Sequence, residues 1–145
     1  GINVEKEIRT MEVSSFVSRV SEIPEVRRQL VYQQQNMRKL VGIVMDGRDI
    51  GTVVFPNAEL KLFITASPEI RAQRRYKELT KRGDKVDFNE VLKNVQERDY
   101  VDSHRKDSPL LKAQDAIEID NSTLTLEEQY EKIMYLVTMT LEAYE

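Results

Sequence analysis

Cysteine is absent from this sequence, and histidine occurs once, at His104. The first absence excludes thiolate catalysis, cysteine-ligated zinc and a disulfide framework, and it fits a reducing compartment. The second leaves no histidine cluster for a metal and no spare imidazole for a serine triad. No apolar run approaches the ~20 residues that a membrane-crossing helix needs, and the N-terminus lacks the basic-then-apolar form of a signal peptide. These readings predict a soluble, cytoplasmic protein. Neither sign of charge dominates, since 22 basic residues stand against 25 acidic ones for a net charge of -3. That balance gives no general attraction to nucleic acid or to an anionic membrane, so any anion must be held by locally placed arginines. Glycine is scarce too, with five in 145 residues. Two of them, Gly47 and Gly51, fall in one short charged string.

What is present reads as one domain, large enough to bury a core without disulfides or metals. Ile8, Met11, Phe16, Val20 and Ile23 recur at helical steps, predicting a helix over 5–23 with one buried stripe. Pro24 suits a first helical turn, and Val26, Leu30, Val31 and Met37 carry a second helix to residue 40. Short apolar runs at 41–45, 60–66 and 116–119, flanked by Gly, Pro, Asp or Asn, predict strands. Ser67-Pro68-Glu69 is a helix start, and that helix ends near 81–84. Asp87 with Glu90 has the spacing of a capping box for a helix to about His104, and Thr125 with Glu128 repeats it for the last helix. Strands alternating with helices predict an α/β fold with a parallel sheet. No repeat, low-complexity segment or dividing linker is seen.

In an open parallel sheet, ligands bind beyond the C-terminal strand ends. Asp46-Gly47-Arg48-Asp49 occupies such a place, either as a glycine turn with solvated charges or as a ligand site. In the helix over 87–104 the lane Phe88, Val91, Val95 continues as Arg98, Asp102, Arg105. Either that lane meets a charged or polar partner, or the helix end leaves the protein body and makes i,i+4 pairs. Arg9, Arg27, Arg48, Arg74, Arg75, Arg98 and Arg105 are spread over separate segments of an acidic chain. Guanidinium forks suit phosphate oxygens, so an anion site is expected.

The residues that carry a family likeness are Asp46-Gly-Arg-Asp-Ile-Gly-Thr-Val-Val-Phe-Pro56, Lys61-Leu-Phe-Ile-Thr-Ala-Ser67, Arg71-Ala-Gln-Arg-Arg75, and Glu97-Arg-Asp99 with Asp102 and Arg105. Together with Ile8-Arg-Thr10, Ser18 and Pro24-Glu-Val-Arg27, in the same order, they make the chain resemble bacterial cytidylate kinases over nearly its whole length. The resemblance implies a P-loop nucleoside monophosphate kinase-like parallel sheet flanked by helices. It implies transfer of the γ-phosphoryl group of ATP, with Mg2+, to CMP or dCMP. It also implies one domain in which residues 1–40 are helices of the CMP-binding region, 41–75 and 105–145 the core, and 76–104 the lid region. On this likeness Ser18, Arg27 and Asp49 hold the cytosine, and Arg98 and Asp102 take the sugar and phosphate side. Arg48 and Arg105 take the CMP phosphate, Arg75 closes over the transferring group, and Asp46 orients water on the metal. The catalytic group is then Arg48, Arg75, Arg98 and Arg105.

One element of that family is missing from this sequence. Its phosphate loop, Gly-x-x-x-x-Gly-Lys-Ser/Thr, has no counterpart, because none of Gly1, Gly42, Gly47, Gly51 and Gly83 precedes a Lys-Ser or Lys-Thr pair. The expectation is therefore the C-terminal part of such a kinase, with an incomplete sheet and no kinase activity alone. The family's first strand lies between the strands corresponding to 41–45 and 60–66. Its loss predicts two exposed inner edges that close by rearrangement or pair with another chain. The competing function is a noncatalytic CMP-binding or assembly module. A UMP or AMP kinase is disfavoured by Arg27 with Asp49.

Overall fold

A computed structural model describes residues 1–37 and 42–143. A 3-10 turn at Glu7–Arg9 leads into helix α1 (Met11–Ser21), followed by α2 (Pro24–Met37) and a wide turn at Ile50–Val54. Strand β1 (Leu62–Thr65), helices α3 (Pro68–Arg82) and α4 (Phe88–His104), strand β2 (Ile117–Asp120) and helix α5 (Leu126–Glu142) complete the order. The two strands pair in parallel, from Leu62 opposite Ile117 to Thr65 opposite Asp120. The protein is thus α/β, a small parallel sheet with helices. Among the described residues no helix is long and apolar enough to cross a membrane.

Local chemistry sets the helix ends. The Ser67 hydroxyl accepts the Ile70 amide at the start of α3, and Gly83 closes the helix at φ 95°, a left-handed position that favours glycine. Asp87 accepts the amides of Asn89 and Glu90 at the start of α4, and Thr125 and Glu128 form a reciprocal capping box on α5. Between α3 and α4 lies an apolar core of Ala72, Leu79 and Val91, flanked by Met11, Val95 and the edge-to-face pair Tyr76 and Phe88. Leu79 is fully buried. Leu79→Ala should lower unfolding free energy by about 2–5 kcal/mol in a denaturant titration.

Two expectations are corrected. Residues 42–45 form no strand, and Val41 lies outside the described residues. A strand needs a partner to pair its amides and carbonyls, and no described strand pairs with this run, in which Val44 is fully exposed. The helix over 5–23 is interrupted at Thr10, whose extended backbone and hydroxyl cap α1 through the Val13 amide. Its buried face departs from the apolar stripe, because Ile8, Phe16 and Ile23 are exposed while Ser14 and Ser18 are buried, and of the stripe Met11 packs on the apolar core and Val20 is half-buried. The inward side of α1 meets polar residues of α4, and that selects serine over phenylalanine. The end of the second predicted helix, 38–40, lies outside the described residues.

Candidate functional site

The charged string forms its turn through backbone chemistry. A Cβ on Gly47 would come 2.9 Å from the Ile50 side chain, which would have to shift to admit one. The Asp49 carbonyl accepts the amides of Val53 (2.9 Å) and Val54 (3.2 Å), and this starts the wide turn. Asp49 is held inward at 4% exposure, where its carboxylate pairs with Arg27 of α2. Gln35, two turns further along α2, donates to the Val54 carbonyl at 3.3 Å and ties the helix to the same turn.

The end of α4 reaches this loop from the other side. Asp102 is buried, and each of its oxygens is taken by an arginine: Arg48 Nε donates to Oδ2 at 2.9 Å, and Arg105 Nη1 to Oδ1 at 3.2 Å. Arg105 is itself buried, with Nε on the Ser108 carbonyl at 2.8 Å and Nη1 3.4 Å from Ser21 Oγ. Arg98, one turn before Asp102, donates to Ser14 Oγ at 3.1 Å. The charged lane of α4 therefore stays in the protein body, and the alternative of a departing helix end does not hold. Ser18 sits on α1 between Ser14 and Ser21, which both touch these arginines, and it is buried with them.

This cluster is unusual for an interior. Among the described residues the buried polar side chains outnumber the buried apolar ones, and Ser14, Ser18, Asp49, Asn94, Asp102 and Arg105 all belong here. Ser18 Oγ, Arg27 Nε, Arg98 Nε and Arg105 Nη2 are buried without a hydrogen-bond partner. An orphaned buried donor costs about 1–3 kcal/mol, so four in one place favour a ligand that supplies acceptors. The electrostatics agree. Burial and the charge of Arg48 lower the pKa of Arg98 below the usual arginine value, and burial and the charge of Arg27 do the same to Arg105. A bound anion would relieve both.

Two expected site residues lie away from this centre. Arg75, on α3, donates to the Arg9 carbonyl at 2.7 Å and to Glu78 at 3.0 Å. It meets the cluster only across a pocket of ≈ 540 Å³ that it lines with Arg9, Ser14 and Arg98. Asp46 is exposed, with no partner among the described residues. No group of three or more metal-ligating side chains comes together among the described residues.

Sequence reasoning passed over Ser14, Ser21 and Asn94, although Ser14, Ser18 and Ser21 recur at helical spacing and were a signal of a polar face. It also gave no role to Arg71, which grips Asp99 with two bonds of 2.7 and 2.6 Å and reaches the Ala66 carbonyl at 3.0 Å. Arg74 bonds the Asn121 carbonyl at 2.6 Å. These two arginines brace the C-terminal ends of β1 and β2 and do not take part in the buried cluster.

Comparison with known proteins gives the site a context. A family model described as cytidylate kinase matches residues 1–139. The cytidylate kinase of Flavobacterium johnsoniae is 66% identical over 137 residues, covering 94% of this chain and 60% of that protein. That of Parabacteroides distasonis is 63% identical over 129 residues, covering 89% and 56%. That of Bacteroides thetaiotaomicron is 60% identical over 131 residues, covering 90% and 57%. The chain thus spans less than two thirds of the length of the curated relatives it matches.

Proposed function

This chain belongs to the cytidylate kinase family, and from that we propose that its buried arginine cluster binds CMP or dCMP for phosphorylation by ATP in the whole protein. The observation that carries this reading is the set of four orphaned donors on Ser18, Arg27, Arg98 and Arg105. Charge supports it as well. Four guanidinium groups, Arg27, Arg48, Arg98 and Arg105, face two carboxylates, Asp49 and Asp102. The excess of two positive charges suits a phosphate monoester near its dianion.

Cytosine presents an amino donor beside two acceptors. The Asp49 carboxylate would accept from the amino group, while Arg27 and Ser18 donate to the acceptors. Because Arg27 and Asp49 are already paired, this edge is formed before the base arrives. Uracil would set a carbonyl against Asp49, and the repulsion gives selectivity. Arg48, Arg98 and Arg105 would hold the phosphate, with Asp102 fixing two of them. Phosphoryl transfer needs charge neutralisation and in-line placement more than covalent help, and clustered arginines supply both. Arg75 would approach from α3 across the shared pocket.

A Mg2+ ion would be held chiefly by nucleotide phosphates and water, as this ion prefers. Asp46, exposed and without a partner among the described residues, has the donor chemistry to hold one of its waters. When bound, the metal neutralises charge on the transferring group. No glycine here precedes Lys-Ser or Lys-Thr, so the cradle for ATP's outer phosphates belongs to the whole protein in this reading, and this chain alone binds CMP without turnover. The division into CMP-binding helices at 1–40, a core, and a lid at 76–104 is part of the same reading, as is a place for a further strand beside the exposed run at 42–45.

Calorimetric titration of the chain tests the proposal. CMP should bind at least tenfold tighter than UMP, about 1.4 kcal/mol, and equal affinities would overturn the base-reading assignment. The buried cluster with its orphaned donors also fits a second reading, a noncatalytic CMP-binding module. ATP-dependent CDP formation by the whole protein would rule that module out.

A further inference from the structure

Ser14 and Asn94 are buried polar residues to which the CMP-site reading gives no task. They are joined to each other and to Arg98. Asn94 and Arg98 stand one turn apart on α4, and Ser14 enters between them from α1. Ser14 Oγ donates to Asn94 Oδ1 at 2.9 Å and accepts from Arg98 Nη1 at 3.1 Å. A hydroxyl has one hydrogen. With that hydrogen committed to Asn94, the oxygen can only accept, which is what a guanidinium requires. The Asn94 amide is fixed in turn by Ser15 Oγ at 3.4 Å.

The chemistry of this clamp differs from that around the other arginines. Arg27, Arg48 and Arg105 each share a carboxylate. Arg98 donates to a neutral oxygen and makes no ion pair among the described residues, with Asp102 and Asp99 acting on its charge only from further off. Its Nε is buried and unpartnered, and with Ser14 it lines the ≈ 540 Å³ pocket shared with Arg75. A long side chain ordered before the ligand arrives loses less rotamer freedom on binding.

We infer that Ser14 and Asn94 are positioning residues, a neutral clamp that aims the guanidinium of Arg98 at the phosphate of the bound nucleotide. The inference rests on the CMP-site reading above. Its signature is a loss specific to the phosphate and not to the base.

The test measures CMP and cytidine binding to the chain by calorimetry, with circular dichroism to check folding. Ser14→Ala should weaken CMP about tenfold, the order expected from a misplaced binding group, and leave cytidine unchanged. Ser14→Thr keeps the hydroxyl and should restore most of the affinity. Asn94→Ala should act in the same direction. The double variant should be no worse than Ser14→Ala, since both residues act through one relay. Unchanged CMP affinity in Ser14→Ala, or an equal loss for CMP and cytidine, would overturn the clamp. If Ser14→Ala fails to fold, Asn94→Ala carries the same comparison. If the parent chain binds no CMP, the reading of the whole site falls, and the clamp with it.

Discussion

Replacing Asp49 with alanine should raise the CMP dissociation constant at least about 100-fold, roughly 2.7 kcal/mol, and should also weaken the fold. The two losses have one origin. Asp49 is 4% exposed and its partner Arg27 is also largely buried, with Nε already lacking an acceptor. Removing one member of a buried pair leaves an uncompensated charge and costs about 3–5 kcal/mol. Part of this returns when an anion binds nearby, so the variant's melting temperature should respond to added phosphate. Asp49→Asn separates the two effects. It keeps the shape and one acceptor, but its amide can donate to the carbonyl of uracil. Discrimination between CMP and UMP should therefore shrink toward unity while stability falls by less than in Asp49→Ala. Calorimetry with both nucleotides and a denaturant titration read these quantities. CMP binding that survives Asp49→Ala unchanged would remove Asp49 from the site.

The helices α3, α4 and α5 were legible because their start signals are local: Ser67, Asp87 and Thr125 each satisfy amides within three residues. The strands β1 and β2 were legible as short apolar runs. The run at 41–45 has the same composition, but a strand depends on a neighbour that its own residues do not specify. Periodicity located α1 but, Met11 apart, chose the wrong face. The stripe of Ile8, Phe16 and Ile23 stays exposed, because the inward side of α1 packs on a polar stretch of α4.

The site shows the same division. On α4 the lane running from Val91 and Val95 into Arg98, Asp102 and Arg105 changes chemistry in mid-helix, and this pattern raised a polar partner as one of two readings, which the structure then decided. That Arg27 and Asp49 act together came only from the likeness to a family, since nothing local in sequence couples positions 22 residues apart. The spacing of Ser14, Ser18 and Ser21 marked a polar face but not its burial, and Asn94 gave no clear signal, because serine and asparagine on a helix face serve solvent as readily as a buried network. The geometry adds a grouping that residue types do not supply. It gathers Ser18, Arg27, Arg48, Asp49, Arg98, Asp102 and Arg105 by shared bonds and burial, and it leaves Arg75 and Asp46 at the margin.

Asp102 is the residue on which that grouping depends, and Asp102→Ala has the second large expected effect. Its two oxygens hold Arg48 and Arg105. Without them Arg48, half exposed, can turn to solvent. Arg105 cannot, since its side chain is 2% exposed. The variant should lose about 3–5 kcal/mol of stability, and the excess positive charge in the cluster rises from two to three. A ligand that binds only the folded state stabilises by an amount that grows with the logarithm of its affinity. Inorganic phosphate should thus raise the melting temperature of Asp102→Ala more than that of the parent, even as CMP affinity drops because Arg48 no longer stands ready. In the whole protein the rate of CDP formation should fall by about 100-fold, the order expected when a positioned group is displaced. The two signs together are diagnostic. A purely structural aspartate would cost stability without increasing the response to phosphate. A carboxylate that only touched the sugar would reduce nucleotide affinity without leaving Arg105 in need of an anion. Equal phosphate response in variant and parent would therefore show that Asp102 does not organise the arginines.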